Sequence, residues 1–172
     1  MNIRLDRDEF QKRAVGHLLN RYLTLYAAAL VLLGVAAAGL SRGTYAALAL
    51  LAVTSVGNGA ITRMMRQRPS QIILTRNLLV AFNYLFYIPL VYLLWPRWRA
   101  VWILLMLSMI NVAIFEDRKT TAGTAGLFSI VLLYTAWVRG AHTVPLACEV
   151  LIYIVSLWTA GLLINRLYNP KN

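Results

Sequence analysis

Acidic residues, cysteine and histidine are all scarce in this chain: 6 Asp and Glu stand against 17 Lys and Arg, with 1 Cys and 2 His in 172 residues. A lone Cys148 excludes an intramolecular disulfide and any cysteine-rich metal site. His17 and His142 fall on opposite sides of the bilayer in the topology derived below, so they cannot together build a zinc or haem site, and no cofactor is expected. No glycine-rich phosphate loop, HExxH or GxSxG occurs. His142 and Cys148 are spaced so that they do not share a helical face, as a Cys–His nucleophilic pair would require. The catalytic arrangements the sequence offers are therefore weak, and a non-enzyme is expected.

Apolar residues, by contrast, are abundant. They make up 60% of the chain against 13% charged, with a mean hydropathy of +0.64. A soluble domain is nearer half apolar and a quarter charged, and a larger core at this length does not explain the excess. A lipid-facing surface does. The net charge of +11 would point to nucleic acid in a soluble protein. Here the basic residues sit at the ends of apolar runs, where positive-inside topology accounts for them, so no nucleic-acid partner is expected.

The stretch Trp98–Trp137 sets the register. It places Glu116, Asp117, Arg118 and Lys119 between two apolar runs, and such a cluster cannot lie in hydrocarbon, so both flanking helices end there. Counting outward gives an all-α, polytopic membrane protein, one membrane domain with six transmembrane helices over about 22–40, 44–62, 72–95, 98–115, 122–138 and 145–164. The fourth and fifth are short and should stand nearly upright. Before them, residues 6–21 carry Phe10, Ala14, Val15, Leu18 and Leu19 on one helical face with Arg7, Lys12, Arg13 and Arg21 mostly elsewhere. That pattern is a short amphipathic interfacial helix on an anionic leaflet, or else the solvated first turns of the first span. The Ala-rich end of the first span is not expected to be a signal-cleavage site, because its charged leader and apolar run are too long.

Of the basic residues, 13 fall on the side of the N terminus and 4 (Arg42, Arg97, Arg99, Arg139) on the other. Both termini are therefore expected in the cytoplasm, with the chain multi-pass in the inner membrane. Trp95, Trp98, Trp102 and Trp137 fall at the outer boundary as an aromatic belt.

Polar residues within the spans must turn toward other helices. Thr54, Asn58 and Thr62 recur every four residues beside Gly57 and Gly59. Arg76, Asn77 and Asn83 follow on the third span, and Ser108 and Asn111 on the fourth. In a compact bundle Asn58, Arg76, Asn77 and Asn111 should converge near Glu116, Asp117 and Arg118 as a candidate binding site. The alternative is interhelical hydrogen bonding plus an ion pair from Arg76 to Glu116 or Asp117. At the outer end Glu149 shares a stripe with Tyr153, Ser156 and Ala160. It is a candidate ligand or proton site open to the outside, with Arg42, Arg97 or Arg139 as its cation; the alternative is a carboxylate wetted by headgroups. The small-residue pairs Ala122/Gly126 and Gly34/Ala38 are expected as helix-packing surfaces.

The stretch NVAIFEDRKTTAGTAGLFSIVLL resembles a segment of the six-helix N-terminal membrane regions of bacterial sensor histidine kinases, with Phe115, Glu116, Asp117 and Arg118 as the shared junction. The resemblance implies a sensory, signal-transducing module. Because NRLYNPKN, after the sixth span, carries no coiled coil, phospho-acceptor histidine or nucleotide-binding domain, such a module would act through a protein partner or as a homo-oligomer. Two other classes remain open. One is a small-molecule-binding subunit of a membrane transporter, docking through an Ala-rich first helix; the other is a non-catalytic scaffold or assembly factor.

Overall fold

The computed structural model describes residues 22, 25–67, 72–140 and 143–169, the side chains at 65, 66 and 72–77 excepted. The region expected to form the interfacial helix, 6–21, lies outside them, as does His142. The fold is all-α. Helix α1 spans Leu25–Ala38, α2 Arg42–Gln67, α3 Ile72–Leu94, α4 Ile103–Phe115, α5 Arg118–Arg139 and α6 Val144–Tyr168, and a 3-10 turn at Arg99–Trp102 leads into α4.

Local chemistry sets the reversals. Gly39 ends α1 with φ of +70°, a left-handed conformation that a Cβ would disfavour. Ser41 then caps α2 reciprocally with Thr44: the Ser41 N–H donates to Thr44 Oγ1 at 2.7 Å and the Thr44 N–H to Ser41 Oγ at 3.3 Å. The Arg97 guanidinium braces this cap with a 2.7 Å bond to Ser41 Oγ. Between α4 and α5 only Glu116 and Asp117 are extended, and Asp117 accepts the Thr120 N–H at 2.8 Å as the N-cap of α5. This cap lets α5 begin at Arg118. The helix is 22 residues long, about 33 Å at 1.5 Å per residue, and is not the short span expected from 122–138.

Helix α4 is central, packing against α3, α5 and α6. Leu104, Leu105, Leu107, Ser108, Met109, Val112, Ala113 and Ile114 are buried around its whole circumference, the pattern of a helix enclosed by others. Its 13 residues with the four-residue 3-10 turn rise about 28 Å. Around it the core takes Val31 and Val35 from α1, Leu90 and Leu94 from α3 with Trp95 just after it, Phe128 and Leu132 from α5 and Val150 and Leu157 from α6. Helix α2 packs on α3.

Close approaches use small residues. A Cβ on Gly57 would overlap the Phe82 ring, one on Gly34 the Trp98 ring, and one on Gly161 the end of Met109. Gly126 has nothing within 4 Å of its Cβ position, so among the described residues no neighbour packs closely on Gly126 of the expected Ala122/Gly126 surface. The inward face of α5 is instead Thr121, Thr124, Ala125, Phe128, Leu132 and Thr135.

The outside of the bundle is apolar. Leu151, Ile152, Val155 and Leu163 of α6, Ile130, Leu133 and Trp137 of α5, and Val53 and Val56 of α2 all lie exposed. Among the described residues three of the six expected spans are helices long and apolar enough to cross a membrane, over Arg42–Met64, Arg118–Arg139 and Val144–Tyr168, while the apolar stretches Leu25–Ala38, Leu78–Leu94 and Arg99–Phe115 are shorter. The window of α6 has a mean hydropathy of 2.0 yet is only 17% buried. In water that surface would drive aggregation; against lipid it is the expected exterior.

Candidate functional site

The junction between α4 and α5 is held by α6. Asn165 is 2% exposed, and its Nδ2 lies 3.0 Å from Ala113 O, 2.8 Å from Glu116 O and 3.1 Å from Thr121 Oγ1. One turn on, Asn169 Nδ2 lies 3.2–3.4 Å from the carbonyls of Ala113, Ile114 and Glu116. A helix C terminus leaves its last carbonyls without intrahelical donors, and two amides from a neighbouring helix supply them. Thr121 Oγ1 donates to Asp117 O at 2.9 Å and extends the network into α5. The hydrogen bonds of Thr120, side chain first and then backbone, hold the Asp117 carboxyl below its ordinary value. Asp117, Arg118 and Lys119 are exposed. Arg118 and Lys119 occupy the first turn of α5, where the helix dipole disfavours cations.

Asn58 and Asn83 meet each other between α2 and α3. Asn58 Nδ2 donates to Asn83 Oδ1 at 2.9 Å, and Asn58 Oδ1 is buried with no partner among the described residues. The expected polar, small face of α2 is present in part: Thr54 and Asn58 are 4% exposed and Gly57 receives Phe82, but Gly59 is exposed with nothing within 4 Å of its Cβ position. No bond joins Asn58 to the α4–α5 junction among the described residues. Asn111 is half-buried without a side-chain bond to a described residue, and the side chains of Arg76 and Asn77 lie outside them. Further bonds tie α5 to its neighbours, from Tyr84 Oη to Thr124 Oγ1 at 2.9 Å and from Trp158 Nε1 to Ser129 Oγ at 3.1 Å.

Near the N-terminal end of α6 Glu149 has its cation, but from a different arginine. Arg99 Nη1 lies 2.6 Å from Glu149 Oε2, their side chains 51% and 31% exposed. Arg97 is turned to Ser41, and Arg139 lies over the Tyr92 ring at 4.2 Å. The Tyr153 hydroxyl donates to Glu149 Oε1. Trp102 stacks on Tyr153 with centroids 4.5 Å apart, and Trp95 meets it edge-on at 6.2 Å. Trp95 Nε1 is buried with no acceptor among the described residues.

The residues that sequence reasoning missed are Asn165, Asn169, Thr121 and Arg99. Asn165 and Asn169 carried a signal, one helical turn apart at the end of the last span. Chemically the two ends differ. The network at the α4–α5 junction is spent on helix ends and leaves an exposed charged tip, while the one around Glu149 is a half-exposed carboxylate and guanidinium on an aromatic floor. Among the described residues no three His, Cys, Asp or Glu side chains gather where a metal could bind. Comparisons with known protein families, curated proteins and solved structures give no match.

Proposed function

We propose that this protein is a non-catalytic sensory module of the inner membrane that crosses the bilayer six times with both termini cytoplasmic and acts through a protein partner. An external cue is received at Glu149, Arg99 and Tyr153, and α6 carries it to the tip formed by Glu116, Asp117, Arg118 and Lys119.

The observation that carries this reading is that one helix holds both ends: Glu149 of α6 makes the outer ion pair, and Asn165 of the same helix holds the α4–α5 junction. They lie 16 positions apart, about 24 Å of continuous helix. A rotation or sliding of α6 at its outer end therefore bears on the junction without an intermediary. Arg118 and Lys119 stand at the helix end that disfavours them, which fits a role in topology and partner contact. The apolar exterior of α2, α5 and α6 supports the membrane placement.

The test measures hydrogen exchange at 116–121 in reconstituted protein. Glu149→Gln is expected to change exchange there, and Asn165→Ala to remove that response. Unchanged exchange at the tip in Glu149→Gln refutes the coupling. Topology is read separately: Lys119→Cys in a Cys148→Ser background should react with an impermeant maleimide only from the cytoplasmic side. The half-exposed outer site also suits a substrate-binding subunit of a transporter, which would bind ligand with no change at the tip.

A further inference from the structure

We infer that the pair formed by Arg99 and Glu149 is the resting form of a site for a zwitterion, a ligand carrying an ammonium and a phosphate a few ångströms apart. The inference deepens the sensory reading by naming what the outer site takes, and it rests on that reading for the site's place at the outer surface.

Glu149 is oriented from within the bundle. Tyr153 donates to one carboxylate oxygen, and the Tyr153 ring is fixed between Trp102, stacked at 4.5 Å and 14°, and Trp95, edge-on at 86°. This is a preorganised acceptor on a rigid helix. Its cation approaches from the solvent side. Arg99 reaches the other oxygen through Nη1 alone, at 2.6 Å, from a side chain 51% exposed on a four-residue 3-10 turn. Four of its five guanidinium N–H donors have no partner among the described residues. An ion pair this exposed adds little to stability, and the same two elements already meet through Trp102 and Tyr153. Opening the pair therefore costs the fold little.

Charge decides the class of ligand. A simple cation displacing Arg99 leaves an unpaired guanidinium. A simple anion drawing Arg99 away leaves the half-buried Glu149 carboxylate without its cation. A zwitterion inserted between the two places its ammonium on Glu149 and its phosphate on Arg99, and every charge stays paired. The arginine fork suits a phosphate. A phosphatidylethanolamine headgroup and a free phosphoamine share this chemistry.

The test titrates the purified full-length protein with O-phosphoethanolamine, ethanolamine and inorganic phosphate, following tryptophan fluorescence. Phosphoethanolamine should give a saturable change, and ethanolamine or phosphate alone should need roughly tenfold higher concentration or more. Arg99→Gln and Glu149→Gln should each weaken the zwitterion by about tenfold or more, while Arg97→Gln leaves it unchanged. Arg99→Gln, at an exposed side chain, keeps the test valid if Glu149→Gln fails to fold. Repeating the titration in bilayers with and without phosphatidylethanolamine separates the sources: competition assigns the lipid headgroup, and an unchanged titration the free molecule. No binding, equal binding of ethanolamine or phosphate alone, or wild-type binding by Arg99→Gln overturns the inference. The titration needs no partner and no response at the tip, so its failure leaves the route through α6 to be judged by hydrogen exchange. Binding that leaves the tip unmoved refutes the sensory reading and keeps the site.

Discussion

Replacing Asn165 tests whether α6 really holds the α4–α5 junction. The side chain is 2% exposed, and its two N–H donors serve three oxygens at 2.8–3.1 Å. A typical internal hydrogen bond contributes about 1 kcal/mol net, and leaving a buried acceptor unpaired costs about 1–3 kcal/mol. Asn165→Ala removes two donors at once from carbonyls at a helix end, so a loss of about 2–3 kcal/mol is expected. Asn165→Asp should be worse than Ala at neutral pH, because a carboxylate presents oxygens to the Ala113 and Glu116 carbonyls. Lowering the pH should partly rescue it as the protonated acid regains one donor. The assay is reversible denaturant unfolding in mixed micelles, with hydrogen exchange at 116–121 as the local readout. A loss for Asn165→Ala under about 0.5 kcal/mol, or Asp tolerated as well as Ala, would refute the assignment.

Other outcomes follow from the same geometry. The amide pair of Asn58 and Asn83 should show a coupling of about 0.6 kcal/mol in a double-mutant cycle, the usual scale for an interhelical bond in a membrane; additive single substitutions to Leu would mean the 2.9 Å contact is energetically idle. Gly57→Ala should cost about 1–3 kcal/mol because its Cβ meets the rigid Phe82 ring. Gly161→Ala should cost less, since the flexible end of Met109 can move, and Gly59→Ala, facing open space, should be neutral or stabilising by up to about 1 kcal/mol; thermal melts in one detergent rank the three. Asp117 has its carboxyl held below the ordinary value of 3.8 by Thr120, so its contribution is complete above that value and is lost as pH falls through the lower, folded one. Asp117→Asn keeps an N-cap acceptor and should flatten the low-pH rise in exchange at the start of α5.

The coarse class, all-α with helices apolar and long enough to cross a membrane, was legible without a structure, because apolar runs bounded by arginines, and a mixed-charge tip that cannot enter hydrocarbon, are properties of consecutive residues. So was the polar, small face of α2, where Thr54 and Asn58 repeat with the helical period. What only the tertiary structure decided is which polar group meets which. Asn58 finds Asn83 across a helix pair and Asn165 finds Ala113 across 52 positions, and both choices depend on how each helix is rotated about its own axis. Arg99 reaches Glu149 in place of the expected Arg42, Arg97 or Arg139, of which Arg97 and Arg139 are spent on Ser41 and Tyr92. The reason is geometric: the chain enters α4 through a 3-10 turn, and three residues per turn aim its side chains differently from the 3.6 of the α-helix that periodicity assumes.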